Sequence, residues 1–264
     1  MEVSKRTTGR LLVEERRRRI LELLDRQERA TVEELADRFD VSTVTVRGDL
    51  DTLAGAGALI RSHGGALKRR DEQDAPIAVK ETLHHGEKVR IGHAAARLIR
   101  QDETIILDSG TTTVEIARQL KFLNLRSLTV ITNGLNIAIE LANLPHIRVI
   151  MIGGILRQMS YSTVGPPAEQ ILRGLNADRL FLGVDGLDPE FGLSTPDLLE
   201  AQLNALMIKV SREVTAVADS SKFLRRTLSS IAGLDDVHRI ITDDKVDQRI
   251  IASLRARSLE VMVV

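Results

Sequence analysis

Val41-Ser42-Thr43-Val44-Thr45-Val46-Arg47, followed by Asp49-Leu50 and Leu53, decides how the N-terminal part of this chain folds. Ser42 or Thr43 supplies a side-chain cap, and Val44, Val46, Leu50 and Leu53 are read as the apolar stripe of the helix behind it. Immediately upstream, Thr31 with Glu34 three residues on has capping-box spacing. It opens a helix that places Val32, Leu35, Ala36 and Phe39 inward, and Asp40-Val41-Ser42 is a short turn. A short helix, a tight turn and a second helix beginning with small polar residues form a helix-turn-helix whose second helix fits a major groove. Downstream, Gly55 and Gly57 end the helix, and residues 58–67 read as two short strands about Gly64-Gly65, a wing. Further upstream, Leu11, Leu12, Ile20, Leu21, Leu23 and Leu24 share one side of a first helix, with Arg16 to Arg19 on the other.

The second helix begins with Ser42, Thr43 and Thr45, which suit phosphates or base edges. Arg47 follows, and its planar fork takes guanine bidentately. Arg61 and His63 project from the wing toward the backbone or minor groove. The competing reading for Arg47 is an ion pair with Asp49 or Asp51, or a solvated side chain. Asp49 reads as structural, because a carboxylate facing phosphates repels them. Arg16–Arg19 is either a phosphate clamp or a solvated helix face.

At 264 residues the chain suits two domains, and 37 Lys/Arg against 37 Asp/Glu exclude a surface that is basic throughout. Residues 1–70 hold 15 Lys/Arg and 12 Asp/Glu, and residues 71–264 hold 22 and 25, so a mildly basic module precedes an acidic one. Asp71-Glu72-Gln73-Asp74-Ala75-Pro76 reads as the start of a linker over 71–87. With no cysteine there is no disulfide framework or thiolate metal site, which fits a reducing cytosol. No metal or cofactor is expected. No apolar run reaches membrane-spanning length, the N-terminus does not read as a signal peptide, and six aromatic residues are too few for base-stacking platforms.

From residue 88 onward apolar strands alternate with helices. Strands are expected at 104–107, 128–132, 147–152, 180–184, 214–218, 239–242 and 259–264, with helices near 91–100, 112–121, 134–143, 166–175, 197–212 and 246–257. That alternation means an α/β domain, with a mostly parallel sheet covered on both faces and ligands beyond the carboxyl ends of the strands. Asp108-Ser109-Gly110-Thr111-Thr112-Thr113 follows the first strand and opens a helix, so its backbone N–H groups and hydroxyls form an anion cradle suited to phosphate. The plainer reading is a strand-to-helix loop with a Thr cap. Asn133, Gly153-Gly154, Asp185 and Lys222 stand at later strand ends, with Lys222 as a cation for phosphate and Asp185 as an acceptor for sugar hydroxyls. Singly, Asp185 also reads as a turn cap and Lys222 as a solvated lysine; together the series defines one crevice.

Val41 to Arg47, with Asp49-Leu50, Leu53, Gly57 and Arg61-Ser62-His63-Gly64-Gly65-Ala66, resembles the DNA-binding signature of the DeoR family of bacterial transcriptional regulators. Gly48 departs from it, since the family commonly carries a second Arg or another polar residue there. Residues 88–264 resemble the family's sugar-responsive domain through Ile106–Thr113, Thr132-Asn133-Gly134, Gly153-Gly154, Leu182–Asp185, Gly192–Thr195 and Asp219–Phe223. The resemblance implies a winged helix-turn-helix joined to a domain similar in fold to ribose-5-phosphate isomerase and glucosamine-6-phosphate deaminase. It further implies double-stranded operator DNA and a phosphorylated sugar as partners, and repression of carbohydrate catabolic genes. The nearest branch is the one governing N-acetylgalactosamine and related amino sugars. A symmetric reader implies a homodimer or homotetramer.

The alternative from another class is a sugar-phosphate isomerase or deaminase with a DNA-binding appendage. Asp185 and Asp188 are its candidate acid–base pair and Lys222 an electrostatic partner. Pro189 points to a turn there, no histidine stands at a strand end in the crevice, and His84, His85 and His93 fall in or after the linker, where surface roles are expected.

Overall fold

The computed structural model describes residues 12–55, 57–68 and 75–264, and the chain divides into two compact units between Leu83 and His84. The first contains α1 (Val13–Gln27), β1 (Arg29–Thr31), α2 (Val32–Phe39), α3 (Thr43–Gly55), β2 (Leu59–Ser62) and β3 (Gly65–Lys68), with an antiparallel sheet in the order β1-β3-β2. The expected capping box opens α2: Glu34 N donates to Thr31 Oγ1 at 3.1 Å, and Thr31 N to Glu34 Oε2 at 2.8 Å. Ile20, Leu24, Val32, Leu35, Val46 and Leu50 form the core between the helices.

Two sequence expectations change here. Val44 is 73% exposed and does not belong to the apolar stripe of α3, which is Val46, Leu50 and Leu53. Two residues turn a helix by about 200°, so Val44 and Val46 cannot share a face. Leu12 is likewise exposed, and Leu11 lies outside the described residues. The third wing strand, β1, has too little alternation to be read from sequence. Gly65 makes room for it, since a Cβ there would stand 2.3 Å from Ala30 O.

The expected linker over 71–87 is also corrected. Residues 71–74 lie outside the described residues, but α4 (Ile77–Thr82) is a helix, and its Val79 packs into the core of the first unit. Pro76, read as part of the linker, instead precedes the first turn, where its missing N–H costs nothing. Next, α5 (His85–Ala96) starts within the same stretch and belongs to the second unit.

The second unit continues with β4 (Thr104–Leu107), α6 (Thr111–Leu120), β5 (Leu128–Thr132), α7 (Leu135–Leu141), β6 (Ile147–Met151), β7 (Ile155–Arg157), β8 (Ser162–Val164), α8 (Pro166–Leu172) and β9 (Ala177–Gly183). It closes with β10 (Gly186–Asp188), β11 (Gly192–Thr195), α9 (Leu198–Lys209), β12 (Ser211–Val217), β13 (Ser229–Ala232), β14 (Arg239–Thr242), α10 (Gln248–Arg255) and β15 (Glu260–Val263). Seven strands form one sheet in the order β15-β14-β12-β9-β4-β5-β6, every pair parallel.

Strand residues alternate between two cores. Ile106, Leu180, Leu182, Ala216 and Ile240 pack with α8, α9 and α10 on one face. Ile105, Leu107, Phe181, Val217 and Ile241 pack with α5, α6 and α7 on the other. The chain lays β5 and β6 on one side of β4, then returns to build β9, β12, β14 and β15 on the other. The strand order therefore reverses between β4 and β9, and the crevice beyond their carboxyl ends is where such sheets bind ligands. A β7–β8 hairpin and an antiparallel β10-β11-β13 sheet, neither expected from sequence, lie outside the main sheet.

Candidate functional sites

Capping fixes the front of α3. Ser42 Oγ accepts from Thr45 N at 3.1 Å and lies 2.9 Å from Thr45 Oγ1, so both hydroxyls serve the helix start, while Thr43 is half-buried. Arg47 is exposed. The carboxylates nearest it in sequence are engaged by other cations: Asp49 accepts from Arg16 Nε at 2.6 Å and Arg17 Nε at 3.0 Å, and Asp51 from Arg61 Nε at 2.9 Å. Arg61 also donates to Gly65 O at 2.7 Å, which makes it a brace between the wing and α3. His63 is exposed at the β2–β3 turn, beside Gly64 with φ +81°.

The Arg16–Arg19 run is neither a phosphate clamp with free charges nor a uniformly solvated face. Arg16 is buried against Asp49, Arg18 pairs with Glu22 at 3.8 Å, and Arg19 pairs with Glu15 at 2.6 Å. Arg17 bridges Asp49 and Glu14.

In the second unit, Asp108 follows β4 at the strand-order reversal and is buried. Thr113 Oγ1 lies 2.7 Å from Asp108 Oδ1, and Gly110 N donates to the same oxygen at 3.2 Å. Burial pushes the Asp108 carboxyl up to about 7, and the charge of Glu200 adds to the rise. Hydrogen bonds from Thr113, Gly110 and Gly183 work against it. Asp108 thus shapes the loop from beneath, and α6 opens immediately after its N-cap, Gly110, with the unpaired N–H groups of a helix start. Ser109 and Thr112 are buried beside them, Thr113 is fully buried, and Thr111 is half-buried.

Neighbouring strand ends are stitched to this loop. Asn136 Nδ2 donates to Ser109 O at 3.2 Å, and a Cβ on Gly134 would meet Ser109 Cα at 2.9 Å. Asn133 Nδ2 donates to Thr163 O at 3.2 Å, while Asn133 Oδ1 is buried without a hydrogen-bond partner. Gly153-Gly154 joins β6 to β7, with Gly154 at φ +151° packed on Val164 O. Asp185 Oδ2 accepts from Thr195 Oγ1 at 3.2 Å. Lys222 lies on the 3₁₀ turn Ser220–Lys222 after β12, two strand spacings (about 10 Å) across the sheet from β4.

Three groups escaped the sequence reading. Lys88 on α5 is 3% exposed, and with Lys222 it acts on Asp219 at the end of β12. Burial opposes the charge on Asp219, but the two lysines and a hydrogen bond from Ser221 outweigh it and hold the carboxyl below its ordinary value. The visible signal was a lysine in line with Ile91 and Ala95 on the apolar stripe of α5. Glu200 is the second: it accepts from Ser162 Oγ at 2.7 Å and from Ser160 Oγ, with Arg157 at 3.5 Å. Its N–H caps onto Asp197, so in sequence it reads only as a first-turn residue. Arg157 is the third, paired with Asp197 at 3.2 Å.

Around the Asp108–Thr113 loop the strand ends thus gather Lys88 and Lys222 beside Asp219, and Asp185 and Glu200 about Thr195. Asp188 is not free for acid–base work. Burial opposes its ionisation, but Arg226 at 2.8 Å and the N–H groups of Glu190 and Phe191 hold it ionised, below its ordinary range.

Two family models match the two units. A DeoR-like helix-turn-helix domain matches residues 16–71, and a DeoR C terminal sensor domain matches residues 83–244. The chain belongs to the DeoR family. It is accordingly a DNA-binding transcriptional regulator: the DeoR helix-turn-helix match takes in α2, α3 and the wing, and the sensor match runs from the start of the second unit through β14. Similar relatives include a putative aga operon transcriptional repressor of Escherichia coli O157:H7, 38% identical over 98% of this chain and 96% of the relative. The glycerol-3-phosphate regulon repressor of Escherichia coli K12 is 32% identical over 85% and 88%. Among solved structures, ribose 5-phosphate isomerase A from Neisseria gonorrhoeae overlaps 53% of each chain at 14% identity and TM-score 0.38, a likeness too slight to carry an argument. No helix among the described residues is long and apolar enough to cross a membrane.

Proposed function

We propose that this chain is a cytoplasmic transcriptional repressor of carbohydrate catabolic genes whose effector is a phosphorylated sugar bound at the β4/β9 crevice. The observation that carries the reading is the placement of the Gly110-capped opening of α6 at the strand-order reversal, on the same sheet edge as Lys222. Phosphate sits on the N–H groups of residues 111–113, with Lys222 and Lys88 supplying positive charge. Asp185, Glu200 and Asn133 accept or donate to the sugar. Within carbohydrates an amino sugar is the favoured class, on the resemblance of the sequence and on the printed name of the Escherichia coli relative. Operator DNA is read by Arg47 on α3, with Thr43 beside it at the helix opening, His63 on the wing against the backbone, Ser42 and Thr45 fixing the helix start, and Arg61 setting the wing. Two or four copies form a symmetric reader of a repeated site.

The regulator reading outranks the isomerase reading because Asp188 is committed to Arg226. A thermal-shift screen of sugar phosphates tests it, since a ligand binding only the folded state stabilises by about 2.7 kcal/mol at 100 times its Kd. The stabilising sugar should alter operator affinity without being turned over. Lys222→Ala should lose the shift and keep operator binding. Gly110→Val should do the same, because its Cβ would stand 3.2 Å from Asp108 Oδ1 and 3.3 Å from Thr113 Oγ1. An unchanged shift in Lys222→Ala would place the phosphate elsewhere, and turnover of the sugar would favour the enzyme.

A further inference from the structure

The groove-facing ridge of α3 is unusual in composition. Val46, Leu50 and Leu53 turn into the core, while Val44 stands out at 73% exposure, with Arg47 and Gly48 three and four residues on along the same face. The hydroxyls of Ser42 and Thr45 are occupied with each other and with the helix start. Past that helix start, the ridge of α3 through Val44 offers a groove an isopropyl group, a guanidinium and bare backbone at Gly48, where nothing lies within 4 Å of an added Cβ. Two of the three work against the fold: a β-branched residue and a glycine both weaken an exposed helix position.

We infer that Val44 reads the C5-methyl group of a thymine in the operator, and that Gly48 is the gap that lets it reach. Thymine's methyl is the one apolar feature on any base edge in the major groove; every other edge presents donors or acceptors that an isopropyl group would leave unpaired. Valine is short, so contact requires the helix backbone to lie close to the bases. A long side chain at position 48 would hold that face of α3 away, and glycine removes the obstacle. Arg47, one turn from Val44, reads a guanine nearby. The inference rests on α3 being the groove-entering helix and names one base that it selects.

The test uses the full chain and the duplex it prefers from a random-sequence library. Each thymine is replaced in turn by uracil, which deletes only the methyl, and Kd is measured at fixed salt. For the wild type, uracil at a defined thymine should weaken binding about four-fold, the worth of one buried methyl group. Val44→Ala should bind the thymine and uracil duplexes equally, and Gly48→Gln should lose the same sensitivity. Arg47→Ala should lose preference for the selected duplex over a scrambled one by ten-fold or more. If Arg47→Ala loses that preference but no thymine matters, or Val44→Ala remains sensitive to it, the inference fails while the groove assignment stands. If Arg47→Ala discriminates as well as wild type, α3 is not the reading helix and both fail.

Discussion

Replacing Asp49 by alanine should unfold the DNA-binding unit far more readily than its position beside the recognition surface suggests. Asp49 is 3% exposed and holds the guanidinium of Arg16, itself 4% exposed, at 2.6 Å. Truncating one partner of a buried pair strands the other charge in a low-dielectric interior, which costs about 3–5 kcal/mol. The second bond, to Arg17, adds little, because that side chain is 23% exposed and can turn to water. For a unit of this size each kcal/mol moves the midpoint by about 4–8 °C, so a loss on the order of 20 °C is expected. The assay is thermal unfolding of the full chain by circular dichroism, and the transition that rises on adding duplex DNA belongs to this unit. Arg16→Met with Asp49→Leu should restore most of the loss, because the pair can be replaced by apolar packing where half of it cannot be left. A shift worth less than about 1 kcal/mol in Asp49→Ala would show that the pair is solvated in solution, and that α1 does not set the angle of α3 through it.

Gly48→Ala should stabilise α3 by about 1 kcal/mol, since the added methyl meets nothing within 4 Å; a loss of stability in urea melts would contradict the helix as described. Asp108, with its carboxyl pushed up to about 7, keeps its proton in the folded chain over pH 4 to 7, where the unfolded chain has released it. Stability should therefore fall as pH rises through that window, by on the order of 4 kcal/mol, and Asp108→Asn should remove that part of the slope; an identical pH profile would refute the burial. Limited proteolysis should spare residues 77–82, because Ile77 and Val79 are buried, and early cuts there would show that α4 does not dock.

Much of the architecture was legible because it is written in short-range patterns. The Thr31–Glu34 box, the glycines around the wing and the alternation of seven apolar strands with helices each span a few residues, and each element formed near its expected place. The Asp108–Thr113 loop was also placed correctly after β4, since a strand followed by Gly and Thr is a local signal. The misreadings share a cause. Val44 reads as inward because an apolar residue among apolar residues does not declare its face until Val46 and Leu50 have taken the core. Residues 75–87 looked like a linker because Ile77 and Val79 show no periodicity until a core is there to receive them. The burial of Asp108 beneath its loop, held by Thr113 and Gly110, is likewise announced by no short-range pattern.

By itself, the sequence determined the two-unit organisation, the helix-turn-helix and the parallel α/β class, all consequences of backbone capping and of side-chain periods of 3.6 and 2. Tertiary structure alone decided which charges are spent and which are available. Arg16 meets Asp49 across 33 residues, Ser162 meets Glu200 across 38, and Lys88 acts on Asp219 from a different element. Such partners are brought together by hydrophobic burial elsewhere in the fold, a long-range outcome that no window of a few residues encodes.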